Sequence, residues 1–183
     1  MKTPLILSFQ FMTDHTFLQI LENDSGLTDI PATHDWLKEN KKSIELKLEE
    51  HGAILFKDLP TETAEDFDQF VSTFNYDTFT YEESLSNAVR INKTSKVFTA
   101  NEAPREVEIF LHHEMAQTPT YPKNIFFFCK SASEAGGETP LCRSDQLYEA
   151  LLRADKTLVE SFEKFGVIYN SIMSSGDELI SGQ

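Results

Sequence analysis

The stretch LHHEM at Leu111–Met115, followed by EAGGETP at Glu134–Pro140, constrains this chain more than any other. On an extended backbone residues i and i+2 project to one face. His112 and Glu114 would then present an imidazole and a carboxylate side by side, with His113 turned to the opposite face. Between the two motifs runs Asn124–Lys130, NIFFFCK, so nearly continuous in apolar residues that it reads as a strand buried on both faces. Gly136 and Gly137 open backbone conformations closed to other residues and permit close approach. Thr139–Cys142 reads as a further short strand, and a hairpin between it and Phe126–Lys130 is the plain structural reading of the double glycine.

The other elements follow from periodicity. Thr33–Glu50 reads as a helix with Leu37, Ile44 and Leu48 on one face, and Gly52 sits where a C-cap belongs. Ala64–Phe74 reads as a second helix, with Thr63 as N-cap and Phe67, Phe70, Val71 and Phe74 at i, i+3, i+4 and i+7. Ser144 is placed to cap a helix carrying Leu147, Leu151 and Leu152, and Leu158–Phe165 continues helically to Gly166. Leu5–Phe11, Ala53–Phe56, Val97–Ala100, Val107–His112 and Val167–Met173 read as strands, and Tyr76–Ser95 as polar loop. The pattern is α+β, and 183 residues make one domain, 1–183.

An imidazole and a carboxylate at this spacing are two of the three ligands of a 2-His-1-carboxylate facial triad, the donor set of non-haem Fe(II) oxygenases. An isolated H-x-E is also a common solvated pair. A zinc-protease HExxH reading fails, because His113-Glu114 is followed by Met115-Ala116-Gln117. Other candidates for a site are weaker. Asn101 and Glu102 precede His112 at a strand end, and Glu102 suits a substrate ammonium or a solvated loop equally by type. Arg90 and Arg105 suit a substrate carboxylate, or the surface. The Phe126-Phe127-Phe128 run and Trp36 read as packing residues.

The segment FLHHEMAQTPTYPKNIFFFCKSASEAGGETPLCRSDQLYEAL resembles the Fe(II)/2-oxoglutarate-dependent dioxygenases of the taurine dioxygenase and clavaminate synthase-like superfamily. The likeness is densest over residues 97–152 and extends more loosely to GAILFKDLP at Gly52–Pro60. It implies a distorted double-stranded β-helix, or jelly roll, with flanking helices, of which this chain holds the N-terminal half. It implies that His112 and Glu114 hold Fe(II), that the Thr139 hydroxyl bonds a carboxylate of 2-oxoglutarate, and that O2 is the oxidant. Asn101 and Glu102 fall where similar enzymes face their substrate. In halogenating relatives a small residue replaces the carboxylate ligand, so Glu114 points to hydroxylation, and its being Glu resembles the clavaminate synthase-like branch. The substrate class implied is an amino acid or related small carboxylate, free or carrier-bound.

The family's third ligand, a distal histidine, and its 2-oxoglutarate arginine have no match, since no histidine follows His113. The chain alone is therefore expected not to turn over 2-oxoglutarate. Two partners follow as expectations, a missing C-terminal half or a second copy in a homo-oligomer. The competing expectation is a short dioxygenase-like protein that binds without turnover.

Charge narrows the rest. A formal net charge of −14 disfavours a phosphate backbone or an anionic membrane as partner. No apolar run approaches the ~20 residues that span a bilayer. Two cysteines, Cys129 and Cys142, are too few for a disulfide framework and suit a reducing cytoplasm.

Overall fold

A computed structural model describes residues 17–78, 90–100, 102, 104, 107–116 and 118–170. They divide into two compact units, one drawn from residues up to Glu108 together with Asn124–Glu138, the other from Ile109–Lys123 and the residues from Thr139 onward. Leu5–Phe11 and residues 79–89 of the expected loop lie outside the described residues.

The first unit is built on a β–α–β crossover. Strand β1 (Gln19–Leu21) pairs in parallel with β2 (Ile54–Phe56), Gln19 opposite Ile54 and Leu21 opposite Phe56. Helix α1 (Ile30–His51) connects them. It starts three residues before the periodicity suggests, because Asp29 caps it, accepting a bond from the Ala32 amide at 2.8 Å, and Pro31 fits the first turn. It ends at Gly52, whose φ of 78° is open to glycine and whose amide donates to the Leu48 carbonyl at 2.8 Å. Helix α2 (Ala64–Thr73) begins in a complete capping box between Thr63 and Asp66.

These elements close one core around Leu37, Ile44, Phe70 and Phe74. The Phe70 ring meets Phe56 edge-on at 5.3 Å, and Phe74 lies 5.4 Å from Phe126. Burying each such side chain contributes roughly 1.5–3 kcal/mol. Trp36 packs at the margin of this core. Beside it, Tyr76 donates its hydroxyl to Glu45 Oε1 at 2.8 Å, and Lys41 bonds the Phe74 carbonyl at the end of α2.

The second unit holds helices α3 (Ser144–Ala154) and α4 (Lys156–Phe165). Asp155 separates them and caps α4, accepting from the Leu158 amide at 2.9 Å. Gly166 ends α4, its amide bonded to the Phe162 carbonyl at 2.8 Å. Tyr148 and Glu163 join the two helices. No α3 residue is fully buried, and Phe162, Phe165 and Ile168 are exposed.

Several expected strands are not formed. Val97–Ala100 contributes one isolated antiparallel bridge, Phe98 to Asn92. Val107–His112, Asn124–Lys130, Thr139–Cys142 and the described part of Val167–Met173 carry no ladder among the described residues. The expected hairpin across the double glycine is absent with them. Apolar and β-branched content signals burial, whereas a strand exists only when a neighbour in register takes its amides and carbonyls. Nor is Asn124–Lys130 buried on both faces: Phe126 and Phe128 pack inward while Ile125 and Phe127 are exposed. Ser144 is also not a cap but the first residue of α3, because Arg143 occupies the N-cap position. The described residues are thus α+β, with one two-stranded sheet.

Candidate metal centre

His112 lies in a stretch without regular secondary structure, and Glu114 sits in the turn that follows. The Ala116 amide donates back to the His113 carbonyl at 3.3 Å, closing residues 113–116 into a tight turn. Met115, third in that turn, has φ of 58°, as a type II turn requires of its third residue. The sequence reading put both side chains on one face of a strand; a turn brings them together instead. His112 Nε2 and Glu114 Oε2 lie 3.8 Å apart. His113 points elsewhere, its Nε2 2.6 Å from Ser144 Oγ at the start of α3.

The His112 ring is oriented by backbone. Its Nδ1 lies 2.7 Å from the Phe110 carbonyl. A carbonyl only accepts, so Nδ1 carries the proton of this bond. In the neutral ring that leaves Nε2 with its lone pair free of the proton. Ligating histidines are commonly held in this way, the second ring nitrogen donating to a carbonyl or carboxylate. Glu114 is partly buried and His112 largely exposed.

This donor set fits Fe(II). Imidazole nitrogen and carboxylate oxygen are the ligand types of the facial triad. His112 Nε2 and Glu114 Oε2, 3.8 Å apart, would have to draw closer to share one ion. No group of three or more His, Cys, Asp or Glu side chains converges among the described residues, so the pair supplies two donors and not a complete cage.

The remaining sequence candidates are placed as follows. Thr139 is exposed, in the same unit as the pair, after a turn in which Gly136 and Gly137 have φ of 72° and 80°. A Cβ on Gly137 would stand 2.7 Å from Ser133 Oγ, so this turn needs glycine for space as well as for dihedral angle. Glu102 is exposed and Arg90 half-buried, both in the first unit. Asn101 and Arg105 lie outside the described residues. Two residues had no signal in the sequence: Phe110, which acts through its carbonyl, and Met115, whose dihedral angle is foreign to its residue type.

Comparison with known proteins agrees with this chemistry. The model of the taurine catabolism dioxygenase TauD, TfdA family matches residues 21–176. A clavaminate synthase-like protein of Arabidopsis thaliana is 34% identical over 149 residues, 81% of this chain and 44% of the relative. The dapdiamide synthesis protein DdaC of Enterobacter agglomerans is 29% identical over 133 residues, 72% of this chain and 39% of the relative. The family match implies a jelly-roll fold, of which the described residues show an α+β part with one two-stranded sheet. The chain belongs to the taurine catabolism dioxygenase family. It matches the N-terminal part of these relatives and spans less than half their length. No helix among the described residues is long and apolar enough to cross a membrane.

Proposed function

We propose that this chain carries the iron-binding N-terminal portion of an Fe(II)- and 2-oxoglutarate-dependent oxygenase that hydroxylates a small molecule. An amino acid or related carboxylate, free or carrier-bound, is the substrate class that the family likeness favours. The observation that carries the reading is the His112–Glu114 pair: Nε2 left basic by the Phe110 carbonyl, a carboxylate oxygen 3.8 Å away, and family membership around both. Iron with 2-oxoglutarate and O2 supplies the oxidation: substrate C–H becomes C–OH, one oxygen atom enters succinate, and CO2 leaves.

The chain's own part is binding and orientation. His112 Nε2 and one Glu114 oxygen hold the ion, and the Phe110 carbonyl fixes the imidazole. Thr139 donates its hydroxyl to a carboxylate of the co-substrate. Glu102, Asn101 and Arg90 are assigned to substrate polar groups. The third ligand and the co-substrate arginine are assigned to the portion of the family's length that this chain does not span. We place the protein in a reducing compartment, where its free thiols Cys129 and Cys142 persist.

The competing reading is a dioxygenase-like protein that binds without turnover. The open apolar surface of Phe162, Phe165 and Ile168 favours it, since such patches mark association. Anaerobic Fe(II) titration of the purified chain with 2-oxoglutarate tests the metal assignment. A visible charge-transfer band is expected in the wild type and not in His112→Ala or Glu114→Ala. A band unchanged in both variants overturns the assignment. Succinate release separates the two readings: the chain alone is expected to stay at the free-iron background, and a preparation containing the complementary portion is expected to exceed it. No release from that mixture favours the binding protein.

A further inference from the structure

We infer that Met115 is a positioning residue that presets the metal pair, an inference that rests on the proposed role of His112 and Glu114. Met115 directly follows Glu114 and has φ of 58°, yet its side chain is only 3% exposed. A non-glycine residue in the left-handed region is strained and persists only where its surroundings over-determine it. Three features do so here. The buried side chain anchors the turn from within. The Met115 carbonyl takes two bonds, from the Thr118 amide at 3.0 Å and the Thr118 hydroxyl at 2.9 Å. Thr118 is itself buried, and its hydroxyl also lies 2.6 Å from the Thr120 carbonyl.

The dihedral angle at Met115 sets the direction in which the chain leaves Glu114. If Met115 relaxed to an ordinary negative φ, the 113–116 turn would open, and the backbone that carries Glu114 would lose its anchor. A largely exposed imidazole and a half-buried carboxylate do not hold each other at 3.8 Å by attraction alone. A buried, over-determined turn can, and it does so before any ion arrives. That lowers the ordering cost of binding.

The test is Mn(II) affinity of the full chain, read from the electron paramagnetic resonance of free Mn(II), with circular dichroism confirming the fold. Met115→Leu conserves volume and is expected to bind within about twofold of wild type. Met115→Gly accepts the same φ without strain but removes the anchor. It is expected to weaken Mn(II) about tenfold, the low end of the 10–100-fold typical for groups that orient ligands. Thr118→Val keeps shape and loses the hydroxyl, and is expected to weaken Mn(II) about threefold; it carries the test if Met115→Gly does not fold. Wild-type affinity in the folded glycine or valine variant, with His112→Ala still deficient, overturns the inference while sparing the proposed function. Equal binding by wild type and His112→Ala overturns both.

Discussion

Tyr76 shows how one side chain records its surroundings. Burial, the Glu45 hydrogen bond and the Glu45 charge together push its phenol up to about 12 from an ordinary 10.0. The fold therefore favours the neutral phenol. Its contribution to stability is complete below pH 10 and is lost as pH rises through that interval toward about 12. Urea unfolding measured from pH 9 to 12 should show a falling midpoint in the wild type and a flatter profile in Tyr76→Phe. Identical slopes would show that the Glu45 bond does not persist in solution. At the same scale the candidate site was legible in part: the proximity of His112 and Glu114 could be read, as could the divergence of His113. The Phe110 carbonyl and the Met115 dihedral angle could not, because neither depends on a side chain that a pattern can register.

Among the elements, the helices were legible and most strands were not, and the difference is physical. A helix keeps its hydrogen bonds within itself, so caps and periodicity near residues 52, 63 and 166 suffice to mark it, whereas the Asp29 cap that starts α1 was not read. The α2 capping box is the clearest instance. Thr63 Oγ1 accepts from the Asp66 amide at 3.1 Å, and Asp66 Oδ2 accepts from the Thr63 amide at 2.9 Å. Thr63→Ala should destabilise the chain by about 1 kcal/mol in urea unfolding at neutral pH. The Thr63 bond first, then the Glu62 amide, hold the Asp66 carboxyl below its ordinary 3.8. That stability is present above pH 3.8 and is lost as pH falls through the lowered value, so the gap between wild type and variant should narrow in acid, leaving the part owed to the Asp66 amide. A gap constant down to pH 2 would contradict the box. Segments such as Val107–His112 and Thr139–Cys142 failed as strands for the converse reason, since a ladder belongs to two segments and a sequence describes one at a time. β1 was missed because FLQIL is short and its pairing partner lies beyond the whole of α1.

At the scale of the molecule, two surfaces contrast. The first unit closes an aromatic core, with Phe70 and Phe74 buried and Phe67 stacked on Phe128 at 5.3 Å. The second leaves Phe110, Phe162, Phe165 and Ile168 each more than half exposed. A net charge of −14 opposes close approach of copies at low salt, and screening weakens that opposition. Sedimentation at raised ionic strength should therefore show concentration-dependent self-association, accompanied by binding of a hydrophobic dye. Phe165→Ser with Ile168→Ser should reduce both. A chain that stays monomeric and dye-free would show these side chains to be covered in solution.

The alternation at residues 125–128 reaches beyond packing. Phe126 and Phe128 serve the core, while Ile125 and Phe127 face away. The period is two, so parity decides which set of rings faces inward. One codon gained or lost in the Tyr121–Asn124 connection would exchange the two sets, taking Phe126 from Phe74 and Phe128 from Phe67. A gain or loss of two codons would preserve them. The tolerance of this connection to length change should follow odd and even number rather than size, a constraint on how the segment can drift that no single substitution exposes.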